Sequence, residues 1–255
     1  MENSRKRSKT CDGKCRILGV DIASGTREEL FALSRDLLGR GGSIATVNPE
    51  MLVTASFDEE LRRALSTSLC IPDGIGVVRE MRRRGSLSDR FPGIELAEAL
   101  LEVSAVRLAI IGGEAGVSTE ALENLTARHR NVIPLLALSG YGDGLASAEK
   151  RLLECKPDLV FVCLGSPKQE IFIANIKNKL DKTLFIGLGG SADVWSGRVR
   201  RAPGIISSVG LEWAYRAVIN PERIKRLPKL LQFVRMCSSS RRKSGKIGKK
   251  RPQTY

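Results

Sequence analysis

The chain switches repeatedly between short unbroken apolar runs and longer stretches where apolar residues recur every three or four positions. Leu159 to Cys163, within DLVFVCLGSPKQE, is the clearest run, and it is bounded by Asp158 and Gly165. A run this short reads as a parallel strand buried on both faces. RILGVDI (16–22), SIATVN (43–48), CIPDGIG (70–76), RLAIIGG (107–113), NVIPLLALSG (131–140) and TLFIGLGG (183–190) read as further strands. Helical patterns separate them. Thr26 and Glu29 form a capping box ahead of Leu30, Leu33, Leu37 and Leu38, and Gly41-Gly42 ends that helix. Other helices are expected from Pro49, from Asp58, in the stretch ending Arg82-Arg83-Arg84, from near Ser118, and over about 147–155. Ser166 is expected to cap another, with Pro167 at its first position and Lys168, Gln169 and Glu170 in its first turn. Strands alternating with helices predict an α/β fold, a parallel sheet flanked by helices in the Rossmann-like manner.

From Ala202 the pattern is helical only. Ile224, Leu227, Leu230, Leu231 and Val234 recur at helical spacing, with Lys225, Arg226, Lys229, Gln232 and Arg235 on the other face. Pro228 kinks this helix or restarts it. The expected organisation is a disordered N-terminus (1–15), an α/β core (16–201), a helical C-terminal appendage (202–237) and a basic disordered tail (238–255).

Charge sharpens that division. Of the formal +14, twelve charges come from the Lys and Arg residues between Arg223 and Arg251, which leaves the rest of the chain at +2. No Asp or Glu follows Glu222. A neutral body with a polycationic end points to an anionic partner: a membrane surface, or in the alternative reading a nucleic acid. After Arg241 the only aromatic residue is Tyr255, so support for base stacking is thin. A basic amphipathic helix followed by a basic tail suits a membrane surface; an apolar stripe of this kind also packs ordinarily on a protein body. No run reaches the roughly 18 apolar residues of a spanning helix, and MENSRKRSKTCDGKCR lacks the apolar segment of a secretory signal. The expected location is the cytoplasm, at the inner face of the membrane. The six cysteines do not form paired zinc-ligand spacings, and His129 is the single histidine, so zinc sites and histidine-dependent nucleophilic mechanisms are discounted.

Several residues at predicted strand ends have chemistry to offer. Asp73, in the PDGIG turn, is either a general base or a cap for the next helix. Thr46 and Asn48 end a neighbouring strand and either face the same edge or make turn and cap bonds before Pro49. Three glycine loops follow strands: 112–116 with Gly112 and Gly113, 165–169 with Lys168 and Gln169, and 187–193 with Gly189, Gly190 and Asp193. Each lets a phosphate approach the backbone. None carries the full dinucleotide fingerprint, and no Walker lysine loop is present, so a nicotinamide enzyme and an ATPase are both weakly supported. No Asp-x-Asp pair occurs. A diphosphate leaving group would then be neutralised by side-chain cations, and Arg216, Arg223 and Arg226 stand where the helical appendage begins. Those arginines serve equally as surface residues.

Taken in order, seven segments resemble the WecG/TagA/CpsF family of bacterial glycosyltransferases. They are TVNPE (46–50), PDGIGVV (72–78), RFPGIEL (90–96), IIGGEAGV (110–117), PDLVFVCLGSPKQE (157–170), the glycine-rich run ending in RAP (187–203), and GLEWAYR with PERIKR (210–226). Ala192 departs from the pattern, where an aromatic residue is expected before Asp193, and the basic tail from Arg241 exceeds the family core. The resemblance implies an inverting hexosyltransferase. It would move an N-acetylmannosamine-type sugar from a UDP-sugar donor to N-acetylglucosamine on a polyprenyl diphosphate, for teichoic acid or surface polysaccharide of the cell wall. It implies no metal, no cofactor and no nucleic-acid partner, and a C-terminal appendage at the membrane. By position, Asp73 becomes the general base, Thr46 its active-site neighbour, and Gln169, Arg216, Arg223 and Arg226 the groups around the diphosphate. Neither the identity of the UDP-sugar nor a homo-oligomeric state is legible.

Overall fold

The computed structural model describes residues 13–103, 105–200 and 227–247. It opens with a two-stranded antiparallel hairpin, β1 (Lys14–Ile17) and β2 (Val20–Ala23). There follow α1 (Arg27–Asp36), β3 (Gly42–Val47), α2 (Pro49–Ala55), α3 (Glu59–Ser66), β4 (Leu69–Pro72), α4 (Ile75–Arg83) and α5 (Gly93–Val103). The second half adds β5 (Val106–Gly112), α6 (Val117–Arg128), β6 (Val132–Leu138), α7 (Gly142–Cys155), β7 (Leu159–Cys163), α8 (Lys168–Ile176), β8 (Leu184–Gly187) and α9 (Ser191–Trp195). A last helix, α10, covers Leu227–Ile247.

Strands β3 to β8 form one six-stranded sheet in the order β4-β3-β8-β7-β5-β6, and every pairing is parallel. The apolar runs explain why. Along β7, Leu159, Phe161 and Cys163 enter one core, with Trp195 of α9 and the buried residues of α5 and α6. Val160 and Val162 enter the opposite core, with Ala148 and Leu152 of α7 and Ile173 and Ile176 of α8. A third cluster joins Ala45, Val47 and Cys70 to α2, α3, α4, the hairpin and α10. Helices therefore cover both faces, the condition under which parallel strands are apolar throughout. Pro134 is tolerated in β6 because that strand is a sheet edge, and the register shifts beside it at Leu108/Ala109.

The fold class and most elements agree with the sequence, and five details differ. RILGVDI is not one strand: the chain reverses at Leu18 (φ 48°) and Gly19 (φ 87°), so β1 begins at Lys14, inside the segment expected to be disordered. Helix α5 was not foreseen, although Ile94, Ala97, Leu100 and Leu101 follow helical spacing and are buried. Helix α7 starts at Gly142, ahead of the expected 147, because its glycines hid the helical signal. Helix α10 continues through Ile247, beyond the boundary drawn at 237, and Pro228 is its second described residue. Its buried face is carried by Phe233 and Cys237, at 3% and 1% exposed, whereas Leu231 and Val234 of the expected stripe are 65% and 50% exposed. The aromatic ring reaches the α2 cluster, and this rotates the helix away from the simple apolar count.

Candidate functional site

Parallel strands end at one edge. Registers pair Val47 with Pro72, Val162 with Gly187, Gly112 with Cys163 and Ile111 with Leu138, so the loops that follow β3 to β8 converge there. In an open α/β sheet this carboxyl edge is where ligands bind.

Asp73 follows β4, and its backbone N–H donates to the Val47 carbonyl at 3.0 Å, which ties the PDGIG turn to the end of β3. The cap position of α4 is Gly74, so Asp73 stands one residue ahead of that helix, on the turn between β4 and α4. A Cβ on Gly74 would stand 2.7 Å from the Pro49 ring, which explains glycine beside the acid.

Thr46 is buried at 6% exposure, and its hydroxyl donates to the Gly187 carbonyl at 3.0 Å, joining β3 to β8 just below the edge. Gly93, at the start of α5, packs directly on it: a Cβ there would lie 2.8 Å from Thr46 Cγ2 and 3.1 Å from Leu188 Cδ2. Asn48 makes a cap. Its side-chain oxygen accepts the Met51 N–H at 3.0 Å, and this is the turn-and-cap alternative weighed above.

The loops after β7 and β8 are held together by Gln169. Its Oε1 accepts the backbone N–H groups of Gly165 at 3.2 Å and Gly189 at 2.8 Å, and its Nε2 donates to Glu170 Oε1 at 2.7 Å. At 3% exposure, Gln169 is a tie between two loops, and all three of these bonds go to protein groups, a role the sequence did not suggest beside the expected one at a diphosphate. The same contacts take the Gly165 and Gly189 amides out of any anion cradle. Ser166 does not cap α8 either. Pro167 holds the cap position, the Ser166–Pro167 peptide is cis, and no side-chain capping bond forms. Lys168 is exposed at the head of α8. Glu170 is buried at 4% exposure, and burial pushes its pKa above the ordinary carboxylate value against the opposing Gln169 amide, Ser166 hydroxyl and its own backbone N–H.

Gly112 and Gly113 have positive φ (138° and 69°). A Cβ on Gly112 would fall 2.3 Å from the Cys163 carbonyl oxygen, so glycine lets β5 and β7 approach at their ends. The Ser118 hydroxyl donates to the carbonyls of Gly112 and Leu138, and Gly113 O accepts the Gly140 N–H. Gly190 takes the cap position of α9, and Asp193 lies in its single turn and a half, half-buried, its backbone carbonyl accepting the Val199 N–H. Arg198 then forks onto Glu120 at 2.7 and 2.9 Å and reaches the Ala115 carbonyl at 3.3 Å, pinning this segment to the GGEAG loop.

Sequence reasoning by residue type missed two contributors. Gly93 and half-buried Arg90 belong to RFPGIEL, whose Phe91 N–H donates to the Pro72 carbonyl at 2.9 Å, so this segment lies across the edge next to Asp73. The unforeseen α5 is the reason: without it, RFPG had no place in the fold. Arg216, Arg223 and Arg226 lie outside the described residues. Among the described residues no group of three or more His, Cys, Asp or Glu is placed to hold a metal ion. No described helix is long and apolar enough to cross a membrane.

A six-stranded parallel sheet with an acid, a buried threonine and close-packed glycine loops at its carboxyl edge is a Rossmann-like α/β architecture of the glycosyltransferase class. The chain belongs to the glycosyl transferase WecG/TagA/CpsF family, whose model matches residues 15–246. It is similar to the N-acetylglucosaminyldiphosphoundecaprenol N-acetyl-beta-D-mannosaminyltransferase of Bacillus subtilis (strain 168), with 37% identity over 73% of this chain and 75% of that protein. The enzyme of the same name from Bacillus spizizenii (strain W23) is 33% identical over 81% of this chain and 82% of its own. That from Staphylococcus aureus (strain NCTC 8325) is 32% identical over 90% and 94%. The nucleic-acid alternative finds no support in these relatives, each named as an N-acetyl-beta-D-mannosaminyltransferase.

Proposed function

We propose that this protein transfers an N-acetylmannosamine-type sugar from a UDP-sugar to N-acetylglucosamine carried on a polyprenyl diphosphate, with inversion at the anomeric carbon. The observation that carries the reading is the placement of Asp73. It sits at the carboxyl edge, one residue ahead of α4, on a turn that its own backbone N–H fixes to the end of β3. UDP is a good leaving group, so the reaction needs a base on the acceptor hydroxyl and fixed positive charge at the diphosphate. Asp73 is the proposed base and Thr46, on the adjoining strand β3, its proposed neighbour. Arg216, Arg223 and Arg226 are the proposed diphosphate clamp, with Arg90 and Lys168 as further cations at the edge. Donor neutralisation by arginines makes a metal unnecessary. Helix α10 supports a peripheral membrane position: it docks through Phe233 and Cys237, with Lys229 donating to Thr54 of α2, and leaves Leu231 and Val234 exposed beside Arg235. A basic helix with outward apolar residues suits an anionic bilayer holding a lipid-linked acceptor.

The test is product mass spectrometry after incubating the protein with a short-chain lipid-linked N-acetylglucosamine diphosphate and a panel of UDP-sugars. Transfer from UDP-N-acetylmannosamine above all others supports the reading. Transfer from none of the panel, or equally from all, overturns it.

A further inference from the structure

Gln169 makes three hydrogen bonds that work only in one orientation of its amide. Oε1 must face the Gly165 and Gly189 N–H donors, and Nε2 must face an acceptor. Glu170 Oε1 is that acceptor, 2.7 Å away and buried. A flipped amide would set its oxygen against a carboxylate oxygen and its NH₂ against two further donors. The pair also fills the space over Gly187: a Cβ there would meet Gln169 Nε2 at 2.8 Å and Glu170 Oε1 at 3.3 Å. Gly187 in turn holds the Thr46 hydroxyl through its carbonyl. One chain of contacts thus runs from Glu170 through Gln169 to the loops after β7 and β8, and through Gly187 to β3.

For stability alone Glu170 is a poor choice. Its second oxygen, Oε2, is buried and completes no hydrogen bond, although the Ser166 hydroxyl lies near enough to the carboxyl to favour its charged form. A buried polar atom left unpaired is destabilising, and an apolar side chain of similar length would avoid that penalty.

We propose that Glu170 is a positioning residue: its carboxyl locks the Gln169 amide so that the Gly165 and Gly189 loops hold their register against Thr46. This rests on the carboxyl edge being the transfer site. Glu170 touches no substrate and acts through Gln169.

The test uses the full chain with E170M and E170Q. Methionine keeps the length and removes the acceptor, whereas glutamine keeps an amide oxygen to accept from Gln169. Two readouts are taken. In hydrogen exchange, peptides covering Gly165 and Gly189 should exchange roughly tenfold faster in E170M, the effect of losing about one hydrogen bond, and remain as wild type in E170Q. In sugar transfer, kcat should fall roughly 10–100-fold in E170M, as for a modest misplacement of reacting groups, with KM within about threefold. E170Q should keep kcat within about threefold of wild type. The proposal is overturned if exchange at both glycines is unchanged in E170M, if E170Q is as impaired as E170M, or if E170M melts well below wild type, which would make Glu170 a plain structural element. The exchange readout needs no substrate, so a wild type that transfers no sugar would sink the functional reading and leave the positioning claim to be decided by exchange alone.

Discussion

Gly93→Ala is the most informative single change, because one methyl group tests whether Thr46 belongs to the working site. The added carbon would meet Thr46 Cγ2 at 2.8 Å, Thr46 Oγ1 at 3.0 Å and Leu188 Cδ2 at 3.1 Å. Carbon atoms rest at about 3.5–4.0 Å, so Thr46 must retreat by roughly 0.5–1 Å. It is 6% exposed and bonded to Gly187, so nothing around it yields freely. Overpacking of this kind costs about 1–3 kcal/mol. Replacing glycine by alanine in a helix returns about 0.5–1 kcal/mol, less at a first turn. The net loss is about 1–2 kcal/mol, a fall in Tm of roughly 2–8 °C for a chain of this size. Activity should drop further than stability does. A displacement approaching 1 Å beside a catalytic base reduces kcat by up to about 10²-fold. The assay is steady-state sugar transfer alongside a thermal melt, with T46S and the G93A/T46S double variant. Serine removes Cγ2, the nearest atom, and keeps the hydroxyl bonded to Gly187. The double variant should therefore recover much of the loss, with a coupling energy of about 1 kcal/mol or more, as for residues in contact. A G93A protein with wild-type Tm and kcat would refute the packing argument. A recovered Tm without recovered kcat would remove Thr46 from the site.

Asp73→Asn should leave the melt and UDP binding near wild type while turnover falls by roughly 10²–10⁴-fold, the range for a lost general base; unchanged turnover in the folded variant rules out the role. Transfer should survive EDTA without restoration by Mg²⁺ or Mn²⁺, and a strict cation requirement would refute neutralisation by arginines. Replacing exposed Leu231 and Val234 by serine should weaken binding to anionic vesicles by about tenfold or more, at roughly 1.5–3 kcal/mol per buried aliphatic side chain, with Tm unchanged; a large fall in Tm would mean these side chains face protein. In native protein at pH 8, iodoacetamide should leave Cys70 and Cys163 unmodified by mass spectrometry, since burial pushes both thiols up to about 12 and only about one in 10⁴ is then thiolate. Glu170 holds its proton to higher pH when folded, so its contribution to stability is full below the ordinary carboxylate pKa and is lost as pH rises through the native value. E170Q should flatten that decline in a urea-melt series from pH 4 to 8, and an unaltered slope would show that the carboxyl ionises as freely folded as unfolded.

Patterns of single side chains carried the sheet, and contacts between elements carried the site. An unbroken apolar run such as Leu159 to Cys163 says that both faces of a strand are buried, and the parallel sheet follows from that condition. The edge that gathers Thr46, Asp73 and the glycine loops follows too, because parallel strands end together. What each residue does at the edge depends on neighbours distant in sequence. Gln169 looked like a donor for a ligand because its helix start favours anions, but in this structure its partners are Gly165, Gly189, twenty residues on, and the buried carboxyl of Glu170. Gly93 had no role legible beyond its place in RFPGIEL, and its meaning lies in a threonine methyl 2.8 Å from where its side chain would be. The C-terminal helix shows the same limit from the other direction. Counting apolar positions put Leu231 and Val234 on one stripe, open to a membrane surface or to packing on the body, whereas one aromatic side chain, Phe233, sets the docked face and leaves those two residues exposed. That rotation changes the chemistry available to α10. An apolar stripe buried on the body would leave only charge to hold a bilayer, and charge alone is screened by salt. With Phe233 and Cys237 docked, the helix keeps both an anchor to the body and an outward apolar pair among basic residues. The expectation that follows is a membrane attachment only partly released by high salt, because burial of Leu231 and Val234 persists after the lysines and arginines are screened.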